Sequence, residues 1–292
     1  MTGKYKTCPK READGAMVTV PRFYFTVHPG DMMRGRLIKN CHIMIVASAW
    51  WDNDRQRFKV LRPPANHVSS ICIDCGGFTA AKRWGKYPWT FQQYIDWICE
   101  ESRDVKLDFC AIMDYACEPG VNRGTYQTNI DRINQTIKNE ASLIDLAPDL
   151  PWLPVLQGNT LKERAYDLNR RRELGQLPDS YAGIGSVCGR GAVGAIEAVR
   201  FYRRQLPGVE YHGFGMHIQA LDRDDVYSSI KSWDSYSWNW GRGVKGKDRP
   251  PEYYRQPGET YTQHTFNLAR LYWQNTIEPR LTRNRQLPMK GF

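Results

Sequence analysis

The stretch Ile71-Cys72-Ile73-Asp74-Cys75-Gly76-Gly77-Phe78 carries the clearest structural signal in this sequence. Its β-branched residues predict a short buried strand, which brings one carboxylate, Asp74, to the strand end. The two glycines that follow allow the backbone to turn tightly beside that carboxylate, and an aromatic residue comes next. An acid at a strand end beside a tight turn is typical of the C-terminal face of an α/β barrel.

Strand and helix patterns alternate on both sides of this stretch. The predicted strands are Arg22–His28, His42–Ala47, Ser70–Asp74, Phe109–Asp114, Pro151–Gln157, Tyr181–Val187, Glu210–Gly215 and Ser232–Trp238. The predicted helices between them are Thr90–Ser102, Tyr126–Ile144, Thr160–Leu174, Ala192–Gln205 and Asp222–Lys231. Because helices separate the strands, we expect a parallel sheet, and eight strands are the number that closes a (β/α)8 TIM barrel. An open, doubly wound sheet is the competing α/β fold.

Length and composition fit one large domain with a C-terminal extension. The chain has 292 residues, of which 41% are hydrophobic. Residues 1–238 are predicted to form the barrel, and residues 239–292 a basic, aromatic-rich loop, a last helix at Thr262–Ile277 and a tail packed on the barrel. Apolar runs fall short of the roughly 20 residues that cross a bilayer, and the N-terminus shows no hydrophobic signal core. We therefore expect a cytoplasmic protein with no membrane partner.

The formal net charge of +10 is concentrated at the two ends of the chain. Residues 1–40 carry eight Lys/Arg against three Asp/Glu, and residues 239–292 carry ten against four. Basic flanks around a near-neutral body suit a nucleic acid whose phosphates they hold, and Lys245, Lys247 and Arg249 are the predicted backbone contacts. Solvated surface charge is the alternative explanation of the same bias.

The eight cysteines do not complete a metal site. Only Cys72 and Cys75 have ligand spacing, and neither a second pair nor a His-x-x-x-His motif follows them. The sequence therefore predicts reduced thiols and no bound metal.

Polar residues stand at the ends of several predicted strands. In a barrel these ends meet at one opening, so residues far apart in sequence converge there. They are Asp74, Asp114, Gln157, the Gly183–Val187 turn, the His212–Gly215 turn and Asp234. Two carboxylates with amide and backbone donors suit chemistry at a glycosidic bond. Taken singly, a strand-end aspartate is as often a helix N-cap, and Gln157-Gly158 is a turn.

The motif Asp74-Cys75-Gly76-Gly77-Phe78 resembles the aspartate-serine-glycine-glycine-phenylalanine/tyrosine motif of the tRNA-guanine transglycosylase superfamily, with Cys75 in place of serine. The likeness covers the chain from about Phe23 to Trp238. It implies that Asp74 is the general acid/base and that Asp234, in Trp233-Asp234-Ser235, is the nucleophile.

The same resemblance implies a set of base-binding residues. Asp114 and Gln157 match the residues that read the guanine edge, and the Gly185-Ser186-Val187 loop matches the one whose backbone contacts the base. Phe78 falls where an aromatic ring stacks on the base. His212, with Gly213, falls near the residue that covers the other face, although a buried histidine fits that position equally well.

Two departures point to a particular branch of the superfamily. The tRNA enzymes carry three cysteines and a histidine that bind zinc after the nucleophile, whereas the last cysteine here is Cys188. The chain also has no appended RNA-binding domain. Both features are similar to the DNA-modifying 7-deazaguanine transglycosylases of the DpdA type, found in bacteria and their viruses. This likeness implies exchange of guanine in DNA for a 7-deazaguanine such as preQ0, without a cofactor; tRNA is the alternative substrate.

Other functions remain open from the sequence. The run Gly189-Arg190-Gly191-Ala192-Val193-Gly194 fits the dinucleotide-binding pattern, and Glu210 follows at the start of the next strand. That motif usually lies on the first βα unit, so we prefer a tight turn that offers backbone amides to a base or phosphate. A non-catalytic nucleic-acid-binding barrel and a retaining glycosidase are the other classes, and the latter has no use for Asp114 and Gln157.

Overall fold

Eight parallel strands form a barrel in this computed structural model, which describes residues 10–11, 17–18, 20–32, 40–63, 66, 68–121, 126, 128–235 and 253–282. The strands are β1 (Arg22–Val27), β2 (Cys41–Val46), β3 (Val68–Asp74), β4 (Leu107–Ala111), β5 (Trp152–Leu153 and Val155–Leu156), β6 (Tyr181–Ile184), β7 (Glu210–Gly213) and β8 (Ile230–Ser235). Two short antiparallel hairpins, Lys10–Arg11 with Met17–Val18 and Trp51–Asp52 with Arg57–Phe58, lie outside the barrel sheet.

The barrel closes between β8 and β1, where Asp234 pairs with Tyr24. Strand β5 is broken at Pro154, which has no N–H to continue a ladder. Its first half pairs with β4 and its second half with β6, while the Pro154 carbonyl accepts from the Gly183 amide at 2.7 Å. The predicted (β/α)8 TIM barrel is confirmed, and the β8–β1 pairing excludes an open doubly wound sheet.

Helices cover the outside of the barrel. They are α1 (Pro29–Met32), α2 (Ala47–Trp50), α3 (Gly77–Trp84), α4 (Phe91–Ser102), α5 (Asn129–Leu146), α6 (Leu161–Glu173), α7 (Gly191–Gln205), α8 (Asp224–Tyr227), α9 (Tyr261–Tyr272) and α10 (Glu278–Thr282). Four of them begin with a capping box at a threonine. The threonine hydroxyl accepts a hydrogen bond from the backbone amide of the third helical residue, and the side chain of that third residue accepts one from the threonine backbone amide. The four threonines are Thr90, Thr128, Thr160 and Thr260. This capping box sets the start of α5 at Asn129, three residues later than the sequence pattern suggests.

The predicted helix Asp222–Lys231 is confirmed only over the four residues of α8. A 3-10 turn, Ile218–Asp222, ends at the first residue of the predicted segment, and β8 begins at Ile230, one residue before its end. Arg223 separates the two turns because its backbone is extended. The inward orientation of Leu221 and Val226 is nevertheless confirmed, since both are fully buried.

Alternate residues of the strands fill the barrel. Inward side chains pack as a cluster made of Tyr24, Met44, Cys72, Phe109 and Leu153. At the N-terminal end, Asp108 closes the interior by binding Arg22 Nη1 at 2.7 Å and the Tyr24 hydroxyl at 2.8 Å. In barrels of this kind the active site lies at the other end, at the C-terminal ends of the strands.

The C-terminal helices pack against β1. Helix α9 continues through a π turn at Trp273–Ile277 into α10. The rings of Tyr272 and Trp273 lie 6.1 and 6.5 Å from the ring of Phe23. The boundary between barrel and extension after residue 238 stays a prediction.

None of the described helices is long and apolar enough to span a membrane.

Candidate active site

Asp74 and Asp234 lie at the same end of the barrel. Asp74 is the last residue of β3, and Asp234 is the last but one of β8, with β1 and β2 between them. Both acids are therefore at the C-terminal ends of the barrel strands, where the opening of such a barrel lies.

Asp234 is held in a fixed orientation. Its Oδ2 accepts from the Thr26 hydroxyl at 2.7 Å, and its Oδ1 accepts from the Gly215 amide at 2.7 Å. The side chain is buried, with 6% of the residue surface exposed. Two donors that approach different oxygens fix the plane of a carboxylate.

His212 lies next to Asp234, inside the barrel. Its Nε2 is 3.5 Å from Asp234 Oδ1, and its Nδ1 is 2.6 Å from the Ser232 hydroxyl. Burial lowers the pKa of His212, and its ring packs between Phe109 and Phe214 at centroid distances of 4.9 and 4.4 Å. A contact of His212 or Gly213 with a base stays a prediction, because both residues are buried.

Asp114 is the centre of a hydrogen-bond network after β4. Its Oδ1 accepts from the Cys75 thiol at 2.8 Å, and its Oδ2 accepts from Gln157 Nε2. The Tyr87 hydroxyl donates to the Asp114 carbonyl and lies 3.1 Å from the Cys75 sulfur. Burial raises the pKa of Asp114 to about 6, although bonds from Cys75 and Gln157 oppose the shift. The network brings the predicted residues of β3, β4 and β5 together.

The turn after β6 extends this network. The Ser186 hydroxyl donates to Gln157 Oε1 and accepts from the Cys117 amide at 2.8 Å. Ser186 has a φ of 55°, in the left-handed region that residues other than glycine rarely adopt. A Cβ on Gly185 would collide with the Gln157 amide, so a glycine is required at that position. Val187 is buried beside them.

The pKa of Asp74 is raised to about 7. Burial is the main cause and the charge of Asp114 the second, while the Gly76 amide opposes the shift by hydrogen bonding. The residue as a whole is partly exposed. A carboxyl group with a pKa near neutrality can both donate and accept a proton, which a general acid/base must do.

The Cys75 thiol takes part in this hydrogen-bond network and does not pair with Cys72. A carboxylate oxygen of Asp74, the Cys75 sulfur and a carboxylate oxygen of Asp114 lie within 4.8 Å of one another. Cys72 instead packs inside the barrel with Tyr24 and Met44. The C-x-x-C spacing therefore does not bring two sulfurs to one ligand.

Phe78 is an exposed aromatic residue at the start of α3. Forty per cent of its surface is exposed, and Lys82 Nζ lies 5.8 Å from its ring centroid. Stacking of this ring on a base stays a prediction.

The glycine-rich run after β6 does not have the geometry of a dinucleotide site. The run opens α7, and Arg190 Nη1 donates to the Asn159 carbonyl. Glu210 stands at the first residue of β7, the opposite end of the strand, where it pairs with Lys231 at 2.8 Å. The acid cannot reach a ribose bound at the turn.

Thr26 and Tyr87 were not predicted as site residues. Thr26 shares the inward face of β1 with Tyr24, and this alternation is a signal that could have found it. Tyr87 lies in an irregular segment, where no periodicity marks it. Lys245, Lys247 and Arg249, predicted to contact the backbone, fall outside the described residues.

Gly77→Ala is expected to destabilise the protein by about 1–3 kcal/mol, because overpacking in a dense site costs this much. A Cβ at Gly77 would collide with the Asp114 carbonyl and lie 2.8 Å from the Tyr87 hydroxyl. Urea denaturation measures the change. Gly30→Ala is the control, since its Cβ would meet nothing within 4 Å. Equal stability of the two variants would contradict the packing described here.

Asp74→Asn is expected to stabilise the fold at pH 8 by about 1–3 kcal/mol and to have little effect near pH 4. The folded pKa, about 7, lies above the ordinary value of an aspartate, so the native state loses stability as the pH rises from about 4 to about 7. An uncharged amide removes this loss. Denaturant titrations at both pH values test the prediction, with the exposed Asp54→Asn as control; a variant less stable than wild type at pH 8 would refute it.

A model of one protein family, described as DpdA, DeoxyPurine in DNA protein A, matches residues 51–250. The matched range contains Asp74, Asp114, Gln157 and Asp234. No curated protein matches the chain.

Proposed function

The chain belongs to the DpdA family, DeoxyPurine in DNA protein A, a family of DNA-modifying guanine transglycosylases, and we propose that it exchanges guanine in DNA for a 7-deazaguanine base by double displacement. One observation carries the proposal. At the C-terminal end of the barrel strands lie both a carboxylate fixed by two hydrogen bonds, Asp234, and a carboxyl group with a pKa of about 7, Asp74.

The first displacement removes guanine. The target nucleotide leaves the base stack and enters the mouth. An Asp234 oxygen attacks C1′, the bond from C1′ to N9 breaks, and the departing base takes a proton from Asp74. The product is a glycosyl-enzyme joined through Asp234. The Thr26 and Gly215 donors hold the attacking oxygen in place, so little reorientation is needed.

The second displacement installs the new base. The incoming 7-deazaguanine gives its N9 proton to Asp74, now ionised, and N9 attacks C1′ as the bond to Asp234 breaks. Asp74 returns to its acid form and Asp234 to its charged form. The cycle thus leaves both carboxyl groups as they began, and preQ0 is the incoming base we propose.

Asp114 serves to read the base. With Oδ1 and Oδ2 already bound by Cys75 and Gln157, it is fixed as an acceptor, and a carboxylate retains further lone pairs for a ligand. Guanine and 7-deazaguanines both offer N1–H and a 2-amino group to such an acceptor. Phe78 is placed to stack on the ring, and Gln157 holds Asp114 in orientation through its amide.

Incubation of the full chain with labelled preQ0 and either duplex DNA, single-stranded DNA or tRNA tests the proposal. We expect label to enter DNA, with release of one guanine for each base inserted. Label in tRNA alone would favour the tRNA substrate. Binding of DNA without any exchange would favour a non-catalytic barrel.

A further inference from the structure

His212 is a buried polar residue inside the barrel that the proposed mechanism does not use. It is the third residue of β7 and is fully buried. Its Nδ1 lies 2.6 Å from the Ser232 hydroxyl, whereas its Nε2 makes no hydrogen bond within the described part of the chain. Asp234 Oδ1 lies 3.5 Å from that free nitrogen. A buried polar atom without a partner is costly, so its retention next to the nucleophile needs a physical reason.

Aromatic packing holds the imidazole of His212 in this orientation. Its ring centroid lies 4.9 Å from that of Phe109, 4.4 Å from that of Phe214 and 6.1 Å from that of Tyr24, and all three contacts are edge-on. Turning Nε2 away from Asp234 would break the contact with Ser232 and disturb this packing. The side chain is therefore a rigid support on which Nε2 keeps its position beside the carboxylate.

The Ser232 hydroxyl decides which nitrogen of a neutral His212 carries the proton. It lies 2.6 Å from His212 Nδ1 and 2.6 Å from the Tyr181 hydroxyl, and its single proton can go to only one of them. If it went to Tyr181, the lone pair of Nε2 would face the Asp234 carboxylate, and two acceptors repel strongly in a buried site. The favoured chain therefore runs from Tyr181 to Ser232 and from Ser232 to Nδ1, which leaves the ring proton on Nε2. A protonated ring would present the same N–H.

We propose that His212 is a positioning residue, which presents its Nε2–H to Asp234 Oδ1 and stabilises this carboxylate more than the glycosyl ester that it becomes. The role rests on the proposed function. When the ester forms, an Asp234 oxygen bonds to C1′, and guanine leaves with the electron pair of the C1′–N9 bond and a proton from Asp74. When the ester breaks, the electron pair of the C1′–O bond restores the carboxylate. Because a donor binds a charged oxygen more strongly than an ester oxygen, His212 favours the release of the sugar and keeps the adduct from accumulating.

The amount of adduct at equilibrium with free guanine tests this role. The full chain is incubated with a saturating guanine-containing oligodeoxynucleotide and a fixed concentration of guanine, quenched in acid and analysed by mass spectrometry. With guanine as both leaving and incoming base, formation and breakdown of the ester are the two directions of one reaction, so a variant that merely slows both leaves the ratio of adduct to free chain unchanged. His212→Asn should raise this ratio about tenfold, the difference between hydrogen bonds to a charged and to a neutral acceptor, because the shorter amide can bind Ser232 but not reach Asp234.

Two further variants make the test specific. His212→Gln should keep the ratio within about twofold of wild type, because its amide oxygen can accept from Ser232 while its N–H replaces the ring Nε2–H. His42→Asn is the matched control. His42 also has its Nδ1 2.6 Å from a serine hydroxyl, that of Ser70, but it stands at the start of β2, the opposite end of the barrel from Asp234. The control should leave the ratio unchanged.

Melting temperatures identify a variant that does not fold, and His212→Leu, which has no donor, takes the place of His212→Asn in that case. An unchanged or lower ratio in this variant, or a rise in His212→Gln as large as in His212→Asn, would overturn the assignment. If wild type forms the adduct while the ratio is the same in every variant, only the role of His212 fails. If wild type forms no adduct and exchanges no guanine, the proposed function fails with it.

Discussion

Asp234→Asn is expected to lower the rate of guanine exchange by about 10⁴-fold or more while leaving DNA affinity within about twofold. An amide cannot form the glycosyl ester on which both displacements depend. The substitution should nevertheless preserve the fold, because the amide oxygen can still accept from the Gly215 amide, and the Thr26 hydroxyl can turn to accept from the new N–H. The loss therefore reports on chemistry and not on stability.

Release of labelled guanine from DNA and a filter-binding assay measure the two quantities for Asp234→Asn. The control is Asp54→Asn, an exposed residue of the hairpin between Trp51–Asp52 and Arg57–Phe58, which should exchange guanine at the wild-type rate. If Asp234→Asn released guanine at a rate within tenfold of wild type, Asp234 could not be the nucleophile.

Asp74→Asn is expected to lower the first turnover of guanine release by about 10²- to 10⁴-fold, the usual contribution of a positioned acid. In wild type, the departing base needs the protonated form of Asp74, whose pKa is about 7. Release should therefore be level between about pH 6, where Asp114 ionises, and pH 7, and fall about tenfold per pH unit above 7. The variant has lost this group, so its residual rate should lack that decline.

Rapid-quench measurements between pH 5.5 and 9 distinguish this role of Asp74 from a purely structural one. A structural residue would lower the rate without changing its pH dependence. A wild-type rate that rises through pH 7, or a variant that keeps the wild-type decline, would contradict the assignment of Asp74 as the acid.

The barrel could be predicted because eight short hydrophobic runs alternate with helical patterns along the sequence. In β1, successive residues point to opposite faces: Tyr24 faces the barrel interior, and Phe23 and Phe25 face the helices outside. Helix α3 was missed because it is short and lies between Gly76 and Gly85, both with positive φ, so no N-cap residue announces it. Tertiary contacts stabilise such a helix, and the sequence does not display them.

The strand-end residues of the site could be predicted from position, but their interactions could not. Asp74, Asp114 and Asp234 are at strand ends or just beyond them, where barrel geometry directs them to one mouth. The contact from Asp114 to Gln157, and from Gln157 to Ser186, depends on irregular loops and on the left-handed backbone of Ser186. The raised pKa of Asp74 follows from burial and from neighbours distant in sequence, which no local pattern encodes.

The proposed exchange requires Asp234 to become covalently joined to the sugar. Mass spectrometry of the full chain, quenched in acid during turnover with a short guanine-containing oligodeoxynucleotide, tests this most directly. We predict an adduct with the mass of the oligonucleotide minus guanine, on the peptide that contains Asp234, and its disappearance when preQ0 is added before the quench. Guanine release with no adduct, or an adduct on another peptide that persists in Asp234→Asn, would contradict the account.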